Sequence, residues 1–208
     1  MSLEGLKLAV PRGALMGDTL DLLDRLGVDT AEVRSNDRKL LFQDVITMRP
    51  SDVPTYVEAG AADIGVTGKD VLAEQSERDV YELLDLGFGP CRMVFATVAG
   101  DDPAAEALRR LGVMRVATKY PKIAARHFER TGRQAEIVEV KGSVELAPLT
   151  GLVEGIVDLT ATGTTLRENG LVIREEIAAS TARLIANPVS HKLKAASIDR
   201  LLERIRAA

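Results

Sequence analysis

Along almost its whole length the chain alternates short apolar runs with amphipathic stretches of helical period, and this constrains its fold more than any other feature. Leu6–Val10 reads as a buried strand with Pro11-Arg12-Gly13 as a turn after it. Leu15, Leu20, Leu22, Leu23 and Leu26 then mark a helix closed by Gly27. Val45–Met48 is a short strand, Ser51 caps a helix carrying Val53, Tyr56 and Val57 that breaks at Gly60, Ile64–Val66 is a strand, and Asp70–Gln75 opens another helix. Arg92–Val98 is a near-continuous apolar run of the kind buried on both faces of a sheet. Helices at Pro103–Leu111 and Pro121–Arg130 and strands at Arg115–Thr118 and Ile137–Val140 follow. Then come a helix at Ser143–Leu149, a strand at Ile156–Leu159, strand residues within Leu171–Ile185, and a closing helix over Ser190–Arg206. Such a series predicts an α/β fold with mostly parallel sheets covered on both faces. It falls into two blocks without a Pro/Gly/Ser-rich linker, so two lobes joined by extended strands are expected, with the last strand and helix returning to the first. We place lobe I at residues 1–90 plus 177–208 and lobe II at 91–176, with ligands in a cleft at strand carboxyl ends.

The most informative single stretch is GIVDLTATGTTLRENG, Gly155 to Gly170. It reads as an apolar strand ending on Asp158, a hydroxyl-rich loop, and a restarted helix. Backbone N–H groups of such a loop, together with a helix N-terminus, favour an anion. Gly163 allows close backbone approach, Thr160, Thr162, Thr164 and Thr165 offer hydroxyls, and Asp158 can accept hydrogen bonds from sugar hydroxyls. A phosphate cradle beside a carboxylate suits a phosphorylated ribose. It is not a Walker A loop, because Gly68-Lys69 is followed by Asp70 and lacks the earlier glycine. The first strand runs into VPRGALMGD and lacks a G-x-G-x-x-G fingerprint.

Composition narrows the classes further. Within 208 residues, 46% hydrophobic and 28% charged residues describe a globular chain. A net charge of −4 with no basic block, 3% aromatics and no Trp argue against nucleic acid as partner. No apolar run reaches the ~20 residues of a membrane span, and MSLEGLKLAVPRG lacks the pattern of a secretion signal. A single Cys91 leaves no internal disulfide, which fits a reduced, cytoplasmic setting.

Arg12, Arg34 and Arg49 follow or end strand-like segments, where guanidiniums suit polyphosphate, although for each one taken alone a solvated surface arginine is the stronger reading. Lys69 and Asp70 read as an exposed lysine and a helix cap, and Asp63 as a turn cap. Glu145 sits in the first turn of the helix opened by Gly142-Ser143, as a dipole-friendly carboxylate or a second contact near the Thr loop. Cys91 reads as a packed small hydrophobe, and His127 and His191 lack partners at metal-ligand spacing. Ile198, Leu201, Leu202 and Ile205 form a stripe expected to dock on its own lobe, with a partner interface as the alternative.

Taken together, VPRGAL, RPSDVPTYVEAGAADIGVTGKDVL at Arg49–Leu72, LGFGPCRMVFA at Leu86–Ala96, RVATKYP at Arg115–Pro121, GSVELAPLTGLVEGIVDLTATGTTLRENGL at Gly142–Leu171 and ARLIANPVSHKLK at Ala182–Lys194 resemble the ATP phosphoribosyltransferases that open histidine biosynthesis. The resemblance implies two periplasmic-binding-protein-like lobes with mostly parallel sheets around a central cleft. It implies a glycosyltransferase that joins adenine N1 of ATP to C1 of 5-phosphoribosyl 1-pyrophosphate, releases pyrophosphate and needs Mg²⁺, held mainly by substrate phosphates. Asp158, the catalytic candidate, with Ala161, Thr162, Gly163, Thr164 and Thr165 would hold the phosphoribosyl group; Arg12, Gly13, Arg34, Arg49 and Glu145 would serve ATP and pyrophosphate. Longer members carry an added histidine-binding domain; ending at Ala208, this chain resembles the short form. The implied partners are a regulatory subunit resembling histidyl-tRNA synthetase and a second copy within a hetero-oligomer. Rival readings are a non-catalytic solute-binding or effector-sensing module of the same architecture and a phosphoribosyltransferase for a free base.

Overall fold

A computed structural model describes residues 3–207. Its contacts divide the chain into two compact units: Met1–Gly89 with Thr181–Ala208, and Pro90–Ser180. Unit 1 opens with β1 (Leu8–Pro11), α1 (Met16–Arg25), α2 (Ala31–Ser35), β2 (Leu41–Phe42) and β3 (Val45–Met48). It continues with α3 (Val53–Glu58), β4 (Ile64–Gly68), α4 (Lys69–Glu74) and β5 (Tyr81–Asp85). Unit 2 contains β6 (Cys91–Val98), α5 (Pro103–Leu111), β7 (Met114–Thr118), α6 (Pro121–Arg130), β8 (Ala135–Glu139), α7 (Leu146–Leu149), β9 (Gly155–Thr160), α8 (Thr164–Glu168) and β10 (Leu171–Ser180). The chain then completes unit 1 with β11 (Ala182–Ala186), α9 (Pro188–Leu193) and α10 (Ala195–Ala207). The second crossing lies after Ser180 and not at residue 177, because β10 stays paired with β6 down to Ser180↔Cys91.

Unit 1 is a six-stranded sheet in the order β2-β3-β1-β4-β11-β5. β1 runs parallel to β3 and β4, while β11 is antiparallel to β4 and β5. Alternation along β1 sends Leu8 and Val10 into one core, with Leu20 and Leu23 of α1 and Ile198 and Leu201 of α10. Ala9 faces the opposite core, made by Val53 and Val57 of α3 and Ile185 of β11. The stripe on the last helix therefore docks on its own unit. That helix is two helices: the Asn187 side chain caps the start of α9 through the amides of Val189 and Ser190, and the backbone leaves helical geometry at Lys194 before α10 begins.

Unit 2 is a five-stranded sheet in the order β10-β6-β9-β7-β8. β9, β7 and β8 are mutually parallel, and β6, the apolar run of the sequence, is antiparallel to both its neighbours. Met93 and Phe95 of β6, Val116 and Val157 pack on Phe128 and Ala124 of α6 and Ala107 of α5. Val94, Ala96, Ala117 and Ile156 pack on the other side against Ala147, Leu166 and Val144. α5 starts on an Asp102 cap with Pro103 in its first turn, and Gly112 in the left-handed region ends it.

Several local expectations change. Neither Ser51 nor Asp52 caps α3 through its side chain; Ser51 Oγ instead meets Asp52 Oδ1 at 3.4 Å. Gly68, not Asp70, precedes α4. The helix expected from Ser143 begins at Leu146, with Ser143 at φ 48° in the preceding turn and Glu145 just outside the helix.

Candidate active site

The parallel strands of unit 2 bring their carboxyl ends to one edge, and β9 delivers Asp158 and Thr160 there. Asp158 lies two residues beyond Ile156, so it shares the face that packs on α7 and α8. It is buried. Its Oδ1 accepts the Leu159 amide at 2.8 Å and lies 3.5 Å from Lys119 Nζ. Lys119 follows β7, whose Ala117 is level with Ile156, so its side chain leaves on the same face as Asp158. Arg92 of β6 is paired in register with Thr160, and its guanidinium bonds Glu176 at 3.0 Å. Burial pushes the Asp158 carboxyl above its ordinary value; the Lys119 ammonium and the Leu159 amide pull it down, and the nearby Glu145 pushes it up.

The loop after β9 is held by its own hydroxyls. The Gly163 amide donates to Thr160 Oγ1 at 2.7 Å, the Thr164 amide donates to Thr162 Oγ1 at 3.3 Å, and the Thr162 and Thr164 hydroxyls lie 2.9 Å apart. Gly163 takes φ 75°, a conformation that a side chain would strain. Ala161, Thr162, Thr164 and Thr165 are exposed. Arg167 braces the loop from α8, donating to Thr162 O and to Thr164 Oγ1, both at 2.9 Å. α8 has five residues, so a helix dipole contributes less than the sequence suggested. Two of the amides expected to face a phosphate are bonded within the loop, while Arg167 adds a cation that sequence reasoning did not single out. Arg167 sits four residues after Gly163, within the same TLREN segment, which was the available signal.

In unit 1, β1 and β3 end level with each other at Pro11↔Met48, which places Arg12 and Arg49 together at the carboxyl edge of that sheet. Arg12 Nη2 donates to Asp37 O at 2.5 Å, and Gly13 beside it turns at φ 81°. The exposed Arg49 side chain has no hydrogen-bond or ion-pair partner among the described residues. Arg34 does not follow a strand. It lies in α2, bonded to Asp21 at 2.6 Å, Asp24 at 2.8 Å and Thr30 Oγ1 at 3.0 Å, which removes the strand-end argument for it. Lys69 pairs with Glu82 at 2.5 Å.

Asp63 is not a simple turn cap. It accepts bonds from the Lys7 amide at 2.8 Å, Ser190 Oγ at 2.7 Å and Lys194 Nζ at 2.8 Å. His127 is buried against Glu175 at 3.2 Å, and His191 lies edge-on to Tyr81. Cys91 is half-buried at the start of β6. Among the described residues no group of three or more His, Cys, Asp or Glu side chains is placed to hold a metal ion, and no helix is long and apolar enough to cross a membrane.

The fold and edge loop define a two-unit α/β protein of the periplasmic-binding type carrying a hydroxyl-rich loop and a buried carboxylate. The likeness extends to the periplasmic aliphatic sulphonate binding protein SsuA of Escherichia coli, with TM-score 0.60 and 13% identity over 96% of this chain and 70% of that one. At that identity only the fold is shared. Residues 49–207 match the family described as HisG, ATP phosphoribosyltransferase. The ATP phosphoribosyltransferase of Rubrobacter xylanophilus is 53% identical, with 98% of this chain and 96% of that protein covered. A chain of the ATP phosphoribosyl transferase (HisG:HisZ) complex from Thermotoga maritima superposes with TM-score 0.80 at 36% identity, covering 97% of each. This chain belongs to the ATP phosphoribosyltransferase family, enzymes of the first step of histidine biosynthesis.

Proposed function

We propose that the chain is a catalytic subunit that joins adenine N1 of ATP to C1 of 5-phosphoribosyl 1-pyrophosphate, with the phosphoribosyl group held by Asp158 and the 161–165 loop of unit 2. The observation carrying this assignment is the buried Asp158 carboxylate, two residues before the end of the strand, β9, that leads into the hydroxyl-rich 161–165 loop. In this reading the carboxylate accepts hydrogen bonds from ribose hydroxyls, exposed Ala161, Thr162, Thr164 and Thr165 meet the 5-phosphate, and Gly163 gives the loop its turn. On the ATP and pyrophosphate side we keep Arg12, Gly13 and Arg49, with Glu145 as the unit 2 candidate; Arg34 is left to its two aspartates.

The adenine N1 lone pair forms the bond to C1 as the C1–O bond breaks, its electrons leaving on pyrophosphate. Adenine N1 is unprotonated at neutral pH, so orientation and charge stabilisation outweigh any need for a strong base. A direct displacement inverts C1. In this reading Mg²⁺ arrives on the substrate phosphates rather than in a cage of protein carboxylates. Mg²⁺ bound there would neutralise charge on the departing pyrophosphate. The likeness to a chain of the HisG:HisZ complex supports a HisZ-like regulatory partner, with this chain as a homodimer in a hetero-oligomer. A cytoplasmic setting belongs to the same reading.

The test mixes purified chain with ATP, 5-phosphoribosyl 1-pyrophosphate and Mg²⁺, with and without such a partner, and follows the near-ultraviolet absorbance of an N1-substituted adenine. Product from ATP supports the reading. Product from free adenine and not from ATP would replace it with a free-base transferase. Tight binding of a small solute without turnover in either arrangement would replace it with a binding module.

A further inference from the structure

We propose that Lys119 is a positioning residue of the phosphoribosyl site: its ammonium holds the buried Asp158 carboxylate ionised and turned to receive the ribose hydroxyls. This rests on the assignment of Asp158 to the ribose given above. Lys119 lies in the short turn between β7 and α6, and only the parallel register of β7 with β9 brings it level with Asp158. Its Nζ stands 3.5 Å from Oδ1, near the limit of an ion pair and beyond a good direct hydrogen bond, and Nζ also lies 5.8 Å from the Tyr120 ring centroid. The lysine side chain is 43% exposed and that of Asp158 is 9% exposed, so one end of the pair stays open to a ligand while the other is desolvated.

A carboxylate so deeply placed needs compensation to remain charged, and the surroundings offer little else. The Leu159 amide supplies one hydrogen bond. Glu145, before α7, opposes ionisation. Arg92 on β6 is paired with Glu176 of β10, Arg167 on α8 is bonded to the loop, and Lys141 beyond β8 is paired with Glu139. Among the described residues, Lys119 is therefore the ammonium that faces Asp158 without another carboxylate at ion-pair distance. A neutral Asp158 would present a hydroxyl where ribose hydroxyls need an acceptor, so loss of Lys119 weakens sugar binding most at acid pH.

Calorimetric titration of 5-phosphoribosyl 1-pyrophosphate with Mg²⁺ onto the purified chain from pH 5 to 9 tests this. Wild type, Lys119→Ala, Lys119→Arg and Asp158→Asn are compared; titration of the ligand itself is common to all four. For Lys119→Ala we expect about tenfold weaker binding at neutral pH, a loss that grows as pH falls, ATP binding within about twofold, and recovery of most of the affinity in Lys119→Arg. A pH dependence identical to wild type in Lys119→Ala overturns the proposal, as does a loss that is uniform with pH and not recovered by arginine. If Asp158→Asn binds the sugar phosphate weakly while Lys119→Ala matches wild type, the Lys119 role fails and the site assignment stands. If Asp158→Asn binds as wild type does, the assignment of Asp158 itself fails.

Discussion

Burial raises the Asp158 carboxyl, so the folded chain holds that proton more tightly than the unfolded one. Stability from this group therefore falls as pH rises from the ordinary aspartate value through the folded one, and at neutral pH the charge is a net liability. Asp158→Asn should unfold at a higher temperature than wild type at pH 7 without ligand. It should bind 5-phosphoribosyl 1-pyrophosphate at least ~10²-fold more weakly and keep ATP within about tenfold, or ~1.4 kcal/mol. Thermal melts with paired ligand titrations check this; a lower melting temperature together with equal loss of both ligands would count against it. At this scale Asp158 and the threonines could be grouped from sequence because they share one continuous segment. Lys119 and Arg34 were opaque for the opposite reason. Lys119 meets Asp158 only through strand register, and Arg34 meets Asp21 and Asp24 only because α2 folds back on α1.

At the scale of elements, β9 is positioned by close approach of its first residue to β6. A Cβ built on Gly155 would lie 2.5 Å from Phe95 Cε2 and 3.1 Å from Ala96 O, and Phe95 is already fixed edge-on to Phe128 at 5.4 Å. Backbone on one side and a locked ring on the other leave little room to yield. Gly155→Ala should destabilise unit 2 by about 1–3 kcal/mol, read by denaturant unfolding; an unchanged midpoint would show that the ring can move. Periodicity revealed α5 and α6 in full because proline starts bracket strong stripes that stop at Gly112 in one and at Arg130-Thr131 in the other. It did not separate β10 from β11. β10 is mostly half-buried or exposed, and its two register shifts, at Ile173/Glu175 and Glu176/Ala178, break the alternation that marks a strand. The mostly exposed edge strand β5 gave a similarly weak pattern, and the helix read from Ser143 was right in its end at Leu149 but three residues early in its start.

Over the whole molecule, alternation specified the α/β class, and the return of the chain to its first unit was foreshadowed by a lone strand and helix after the second block. Strand order was not legible, since β11 inserts between β4 and β5 through pairings as distant in the chain as Ala186 with Ile64 and Arg183 with Asp85. That closure depends on Asp63, whose carboxylate joins the entry to β1 at Lys7 with Ser190 of α9 and Lys194 after it. Burial pushes its carboxyl up, but Lys194, Ser190 and the Lys7 amide together outweigh burial and hold it below the ordinary value. Its stabilising contribution is therefore complete above the unfolded aspartate value of about 3.9 and disappears as pH falls through the lower folded value. Glu154, held down by Arg115, and Glu175, held down by Arg133, act in the same direction, whereas Asp158 acts in the opposite one. Stability should consequently fall as pH drops below about 4. Asp63→Asn should cost about 2–3 kcal/mol at pH 7, and the difference from wild type should narrow towards pH 2–3. Urea unfolding at both pH values measures it. A penalty as large in acid as at neutrality would assign the clamp to shape and not to charge.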